Sequence, residues 1–272
     1  MSTPRARNPS TEALLAIAVE AARQAGEILE KCAHAGFRVK HKNVINLVTD
    51  ADCRAEQRII DVIQKAFPSH RILAEERGLT QRSHSPYQWV IDPLDGTTNF
   101  AHGFPAFCVS IGVEHGGRGL IGVVFDPTRD ELFTARRGKG AFLNDRPISV
   151  SAVNQLDRAL LVTGFAYNIR ETRNNNLDHF VSFALKTQGL RRTGTAALDL
   201  CYVASGRFDG FWEVALNPWD MAAGVVILEE AGGKVTNFKG ETHSIYGREL
   251  VASNGRVHRA MLDVLQQNRS LM

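Results

Sequence analysis

Apolar residues recur at helical spacing through residues 11–31, where Leu14, Leu15, Ala18, Ala21, Ala22, Ala25, Ile28 and Leu29 form one stripe. This predicts a long amphipathic helix that Ser10 or Thr11 can cap. A second stripe, Ala55, Ile59, Ile60, Val62 and Ile63, predicts a helix that ends near Phe67 and is stopped by Pro68. Thr49 or Asp50 can cap it, and Asp50 reads as the cap. The polar run Lys40, His41, Lys42, Asn43 before it reads as a loop. Short apolar runs then predict strands over 71–74, 87–92, 107–114, 120–125 and 132–135, parted by turns such as Gly116-Gly117-Arg118-Gly119. Beyond residue 150 the pattern alternates. Strands are predicted over 159–163, 210–213, 234–237 and 250–253, and helices over 176–186, 195–205, 220–231 and 257–266. Gly232-Gly233 ends the third of these helices as a glycine C-cap would. Such a chain is a mixed α/β or α+β protein whose sheets are covered by helices.

Composition narrows the class without naming an activity. A chain of 272 residues, 44% hydrophobic, can bury a large core as one domain or two closely joined halves. No apolar run is long enough to cross a bilayer, and residues 1–10 read as a polar, flexible tail rather than a secretion leader, so a cytoplasmic protein is expected. Cys32, Cys53, Cys108 and Cys201 are too widely spaced for a zinc finger or a Cys-x-x-Cys pair and read as reduced thiols in or near a core. A net charge of +3 is too small to imply nucleic-acid binding, and Arg136-Arg137 and Arg191-Arg192 read as solvated surface, at most weak support for a nucleic-acid partner. The nine histidines show no metal spacing, and no Gly-x-Ser-x-Gly elbow or dinucleotide fingerprint occurs.

The stretch Asp92-Pro93-Leu94-Asp95-Gly96-Thr97-Thr98-Asn99-Phe100 carries the chemistry. Two acids end the apolar run Trp89-Val90-Ile91, and like charges held that close call for a cation. Hard ions such as Mg²⁺ take oxygen ligands and leave positions open for water and phosphate. Gly96-Thr97-Thr98 offers backbone N–H groups at a predicted helix start, an anion site. Pro93 is expected to end strand pairing and preset a turn that brings both aspartates to one side. Hydrolysing a phosphate monoester needs stabilisation of about 20 kcal/mol, mostly from positioning and charge neutralisation. Paired divalent ions supply that when three or four acids hold them, and Glu75, Asp92, Asp95 and Asp220 stand at segment ends. Singly, each acid is ordinary: Asp220 is a helix cap, Asp52 a first-turn acid, Glu75-Glu76 a solvated pair.

This stretch resembles the first signature of the inositol monophosphatase family of Mg²⁺-dependent, lithium-sensitive phosphatases. Trp219-Asp220-Met221-Ala222-Ala223-Gly224 resembles the second, and Leu47 to Asp52, Ala74-Glu75-Glu76 and Gly194-Thr195-Ala196-Ala197 with Glu213 resemble further blocks. The resemblance runs over about residues 11 to 268. It implies alternating layers of helices and sheets, the sugar-phosphatase fold, with an α+β half over 11–150 and an α/β half over 151–272. It implies two or three Mg²⁺ ions. Glu75, Asp92 and the Leu94 carbonyl would hold one, while Asp92, Asp95 and Asp220 would hold the second. Leu94 replaces the usual isoleucine, a swap of little consequence for a main-chain ligand. Asp52 and Thr97, with Glu75, would orient the attacking water. Gly96 and Thr97 amides would bind phosphate, with Asp95 and Asp220 beside it, and Gly194, Thr195, Ala196 and Glu213 would contact the polyol. Thr195 could also cap the helix that follows. Lys40 or Lys42 would lie on a loop over the metals. Ala74, where glycine is usual, is expected to disturb a strained turn by about 1 kcal/mol. The same resemblance implies a homodimer acting on inositol monophosphate. It leaves open fructose 1,6-bisphosphate, histidinol phosphate, NADP and other nucleotide substrates, and an added role with RNA polymerase or RNA in transcription antitermination.

Overall fold

The computed structural model describes residues 9–35, 39–41, 47–79, 83–173 and 175–269. It begins with α1 (Thr11–Ala35), a small hairpin of β1 (Val39–His41) and β2 (Leu47–Thr49), and α2 (Asp50–Ala66). Then come β3 (Arg71–Ala74), β4 (Gly78–Leu79), β5 (Tyr87–Asp95), α3 (Thr97–Ala101), β6 (Cys108–His115), β7 (Arg118–Asp126), β8 (Glu131–Arg136), β9 (Ala141–Leu143) and β10 (Arg146–Pro147). The rest comprises β11 (Leu160–Thr163), α4 (Leu177–Ala184), β12 (Gly189–Arg191), α5 (Ala196–Ala204), β13 (Gly210–Val214), α6 (Pro218–Glu230), β14 (Lys234–Thr236), β15 (Glu249–Ser253) and α7 (His258–Arg269).

Eight strands, β10-β9-β8-β7-β6-β5-β3-β4, form one sheet, antiparallel except where β3 runs parallel to β5. Side-chain alternation decides what each face meets. Trp89 and Ile91 of β5, Ile111 and Val113 of β6, and Ile121 and Val123 of β7 pack with α1 and α2. Val90, Cys108 and Val124, from the same strands, pack on the other face with α5 and α6. Helix α6 sits unusually close. A Cβ on Gly122 would fall 2.3 Å from the Ala223 carbonyl oxygen, so only glycine fits there. A second, five-stranded sheet, β12-β11-β13-β15-β14, covers the far side of α5 and α6. Its outer face, through Trp212, Val214 and Val251, packs on Phe183 of α4 and Met261 and Leu265 of α7. Helices and sheets therefore alternate in layers. Helix α6 is apolar all round, with Met221 to Leu228 buried, because it lies between two sheets rather than on a surface.

Several expectations need correction. Ala74 sits in β3, fully buried and opposite Ile91, with no left-handed backbone to strain it. Pairing does not end at Pro93: a bulge follows Asp92 and β5 pairs again at Asp95, opposite Cys108. Thr49, not Asp50, caps α2, its hydroxyl accepting from the Ala51 and Asp52 amides. Helix α6 begins at Pro218, which puts Asp220 inside its first turn rather than at the cap. The four cysteines are free; Cys53 is exposed and the other three are buried. Residues 1–8 of the expected tail lie outside the described residues, as do Lys42 and the side chain of Lys40.

Candidate active site

Helix starts and strand ends from distant parts of the chain meet between the two sheets. Parallel β3 and β5 end side by side there, delivering Glu75 just past β3 and Asp92, Leu94 and Asp95 at the end of β5. The bulge after Asp92 turns successive residues toward one cavity of about 320 Å³. Glu75, Asp92, Leu94, Asp95, Gly96, Thr97, Glu213 and Asp220 all line it. A smaller chamber of about 90 Å³ adjoins, lined by Gly194, Thr195, Ala196 and Asp199 and sharing Asp95, Glu213 and Asp220 with the larger one.

Each acid is fixed by its local structure. The Leu94 amide donates to Asp92 Oδ1 at 3.0 Å, and Asp92 is only 2% exposed. Asp95 Oδ2 accepts from the Ala197 amide at 2.8 Å, in the first turn of α5. Asp220 Oδ2 accepts from the Asn217 amide at 2.7 Å, closing a capping box on α6. Asp52 lines neither cavity. It stands one step behind, accepting from the Thr49 amide at 2.8 Å and hydroxyl at 2.5 Å. The Thr97 hydroxyl faces both Asp52 Oδ1, at 3.3 Å, and the Leu94 carbonyl, at 3.1 Å, and its single proton serves one at a time. Gly96 precedes α3 with φ of 97°, and a Cβ there would meet Thr195 Cγ2 at 2.7 Å. Thr195 holds the cap position of α5 without capping it: its buried hydroxyl has no hydrogen-bond partner among the described residues.

The electrostatics are costly. Burial, then the neighbouring Glu75, Asp95 and Asp220, push the Asp92 carboxyl well above its ordinary range. Burial and Asp220 do the same to Asp95, and burial alone lifts Asp220 to about 6 against the restraining Asn217 bonds. Burial raises Asp52 as well, offset by the Thr49 bonds. Among the described residues no three His, Cys, Asp or Glu side chains are gathered tightly enough to ligate one ion in this conformation. The donor set still fits a hard divalent cation. Five carboxylates and no thiol or imidazole line the larger cavity, and a cation would relieve the repulsion that raises Asp92 and Asp95.

Some lining residues carry no sequence signal. Phe165, Tyr167 and Arg248 come from loops. Asp199 follows Ala196 by one helical turn, a spacing that could have placed it. Arg191 is exposed as expected, whereas Arg192 is exposed and also lines the smaller chamber.

Layered helices and sheets around an acid-lined cleft, with helix N-termini aimed into it, define a sugar-phosphatase type of architecture. The chain belongs to the inositol monophosphatase family, whose family model matches residues 10–270. An inositol-1-monophosphatase from Synechocystis is 49% identical over 220 residues, 81% of this chain and 77% of that one. The Nus factor SuhB of Pseudomonas aeruginosa is 45% identical over 261 residues, 93% and 96% of the two chains. The solved inositol monophosphatase of Anabaena superposes with a TM-score of 0.86 at 46% identity, covering 94% of this chain and 96% of that one. The family is one of phosphatases, and no helix among the described residues is long and apolar enough to cross a membrane.

Proposed function

We propose that this chain is a cytoplasmic, Mg²⁺-dependent and lithium-sensitive phosphatase that hydrolyses inositol 1-phosphate to inositol and phosphate. The observation that carries the reading is the convergence of Glu75, Asp92, Asp95 and Asp220, from three separate segments, on one cavity with Glu213 at its side. Two or three ions would be held by Glu75, Asp92, Asp95, Asp220 and the Leu94 carbonyl. When bound, Mg²⁺ offsets the charge of the phosphoryl oxygens and lowers the pKa of nearby water.

The protein's own groups do the positioning. Gly96 and Thr97 amides hold the phosphate at the start of α3. Asp52 accepts the Thr97 hydroxyl proton, which turns the oxygen lone pairs of Thr97 toward the attacking water. Glu213, on β13, and Thr195 receive the polyol hydroxyls, satisfying the Thr195 oxygen that has no partner. Phosphate release from inositol 1-phosphate, measured with Mg²⁺ and with a chelator, tests this. Turnover should need the ion and collapse in Asp92→Asn. Absence of turnover at saturating Mg²⁺ defeats it.

A homodimer is part of the proposal. Leu177, Val181 and Leu185 form an exposed apolar stripe along and just past α4, 45%, 57% and 82% exposed, suited to cover by a second copy. A second reading draws on kinship with the Nus factor SuhB: an added, non-catalytic association with RNA polymerase. Capture of RNA polymerase by the Asp92→Asn chain would support it, and its absence from such a capture would count against it.

A further inference from the structure

We infer that Asp199 is a specificity-determining residue: a second buried acid, beside Glu213, that admits an uncharged polyhydroxyl leaving group and turns away esters bearing a second phosphate. The inference rests on the phosphatase reading above and names its substrate class.

Asp199 is 1% exposed and Glu213 is 9% exposed, and both line the chamber of about 90 Å³. The Thr193 hydroxyl donates to Asp199 Oδ1 at 2.5 Å, which fixes the carboxyl against the chamber wall. Glu213 is fixed by crowding: a Cβ on Gly164 would lie 2.3 Å from its Oε2, so residue 164 carries no side chain. The Thr195 oxygen, buried without a partner, completes the lining. A chamber of this volume takes hydroxyl-sized groups. Its open side is the larger cavity, so the hydroxyl-bearing edge of a ring enters while the ester phosphate stays with the four acids.

Charge then decides what can enter. Burial disfavours negative charge on Asp199, and burial followed by Asp199 itself does so on Glu213, so a further anion brought into the chamber meets the same penalty. Arg192 is the one cation among the lining residues, and it stands at the exposed rim. A second phosphate would lose water beside two acids, while sugar hydroxyls donate to the same oxygens without moving charge.

The test compares kcat/KM for inositol 1-phosphate and inositol 1,4-bisphosphate at saturating Mg²⁺, a pair differing by one phosphate. Asp199→Asn keeps an acceptor for Thr193 and removes the ionisable carboxyl. Preference for the monophosphate should fall by about tenfold, mainly through the KM of the bisphosphate. Arg192→Gln should move the preference the other way. A ratio unchanged within about twofold in both variants overturns the inference. If the unaltered chain hydrolyses neither ester, the phosphatase reading falls instead and takes this one with it.

Discussion

Asp92 and Asp209 are both buried aspartates close to a sheet end, and their surroundings are opposite in kind. Asp209 accepts from the Ser151 hydroxyl at 2.5 Å and the Leu160 amide at 2.7 Å. Nearby, Asn254 donates to Ser151 and to the Val153 carbonyl, and His258 sits between the Thr236 and Ser253 hydroxyls at 2.9 Å from each. At this corner of the second sheet, then, the fold satisfies Asp209, Asn254 and His258 itself. Asp92 has one amide and three acid neighbours, and Thr195 across the cleft has an unused hydroxyl. Such a region is expensive for an isolated chain and makes sense when ions and a ligand complete it. On the proposed function, the contrast separates polar groups that hold the fold from those that serve chemistry.

The largest expected effect tests the cleft side. Asp92→Asn should lower kcat at least a thousandfold, roughly 4 kcal/mol in the barrier. The melting temperature without Mg²⁺ should hold or rise, because the substitution removes a charge from a repelling set while its Oδ1 still accepts the Leu94 amide. Paired activity and melting measurements decide it. A large drop in Tm would make Asp92 a structural acid and dissolve the contrast. Asp209→Ala tests the other side. It strips partners from the Leu160 amide and the Ser151 hydroxyl and should cost about 3 kcal/mol of unfolding free energy by urea denaturation. The activity of the folded fraction should stay nearly unchanged.

How much of this was legible follows the same divide. Periodicity placed α1, α2 and the long strands, because a stripe such as Leu14-Ala18-Ala25 has one way to bury itself. It missed β1, β2, β4, β9, β10 and β12, since two or three residues hold no period, and those strands exist only by pairing with neighbours. The choice between Thr49 and Asp50 was open locally. Burial of Asp52 settled it, by locking Thr49 into a reciprocal capping box. Within the cleft, the contiguous Asp92–Thr97 block announced its acids. Asp199, Tyr167 and Arg248 did not, because their place comes from how α5, the loop after β11 and the segment before β15 pack together. The Ala74 expectation failed for a related reason: a residue still paired at the end of its strand needs no left-handed backbone.

A titration comparison should show a smaller effect. Asp92, Asp95 and Asp220 are raised in the fold, so their contribution is full below the ordinary carboxylate range. It is lost as pH rises through the folded values, about 6 for Asp220. Burial depresses His258 from 6.5 to about 4, so its contribution is present above 6.5 and lost as pH falls toward 4. Without divalent ions the three acids outweigh the one histidine, so stability should fall as pH rises from the ordinary carboxylate range through the folded values. Mg²⁺ should stabilise by about 2 kcal/mol more at pH 8 than at pH 5, read from melting curves at both. Equal Mg²⁺ shifts at the two pH values would mean that the raised acids do not hold the ion.

The smallest effect tests whether the left-handed backbone at Ala215 serves the cleft. Ala215, which lines the larger cavity, has φ of 63°, a left-handed conformation that costs a non-glycine residue about 1 kcal/mol. It is held there from outside. Arg248 Nη2 donates to the Ala215 carbonyl at 3.1 Å, and the Leu216 amide donates to the Arg248 carbonyl at 3.3 Å. Two residues on, Asn217 starts the capping box that aims Asp220. Ala215→Gly removes the strain but gives the unfolded chain more freedom, so a net gain of only about 0.5 kcal/mol is expected. If the strained turn sets the direction of Asp220, the same substitution should loosen it and lower kcat/KM by roughly two- to fivefold. A more stable and less active variant would assign the strain to the site. A variant that loses stability and keeps full activity would return Ala215 to the self-satisfied part of the molecule and move the boundary of the cleft inward to Asn217.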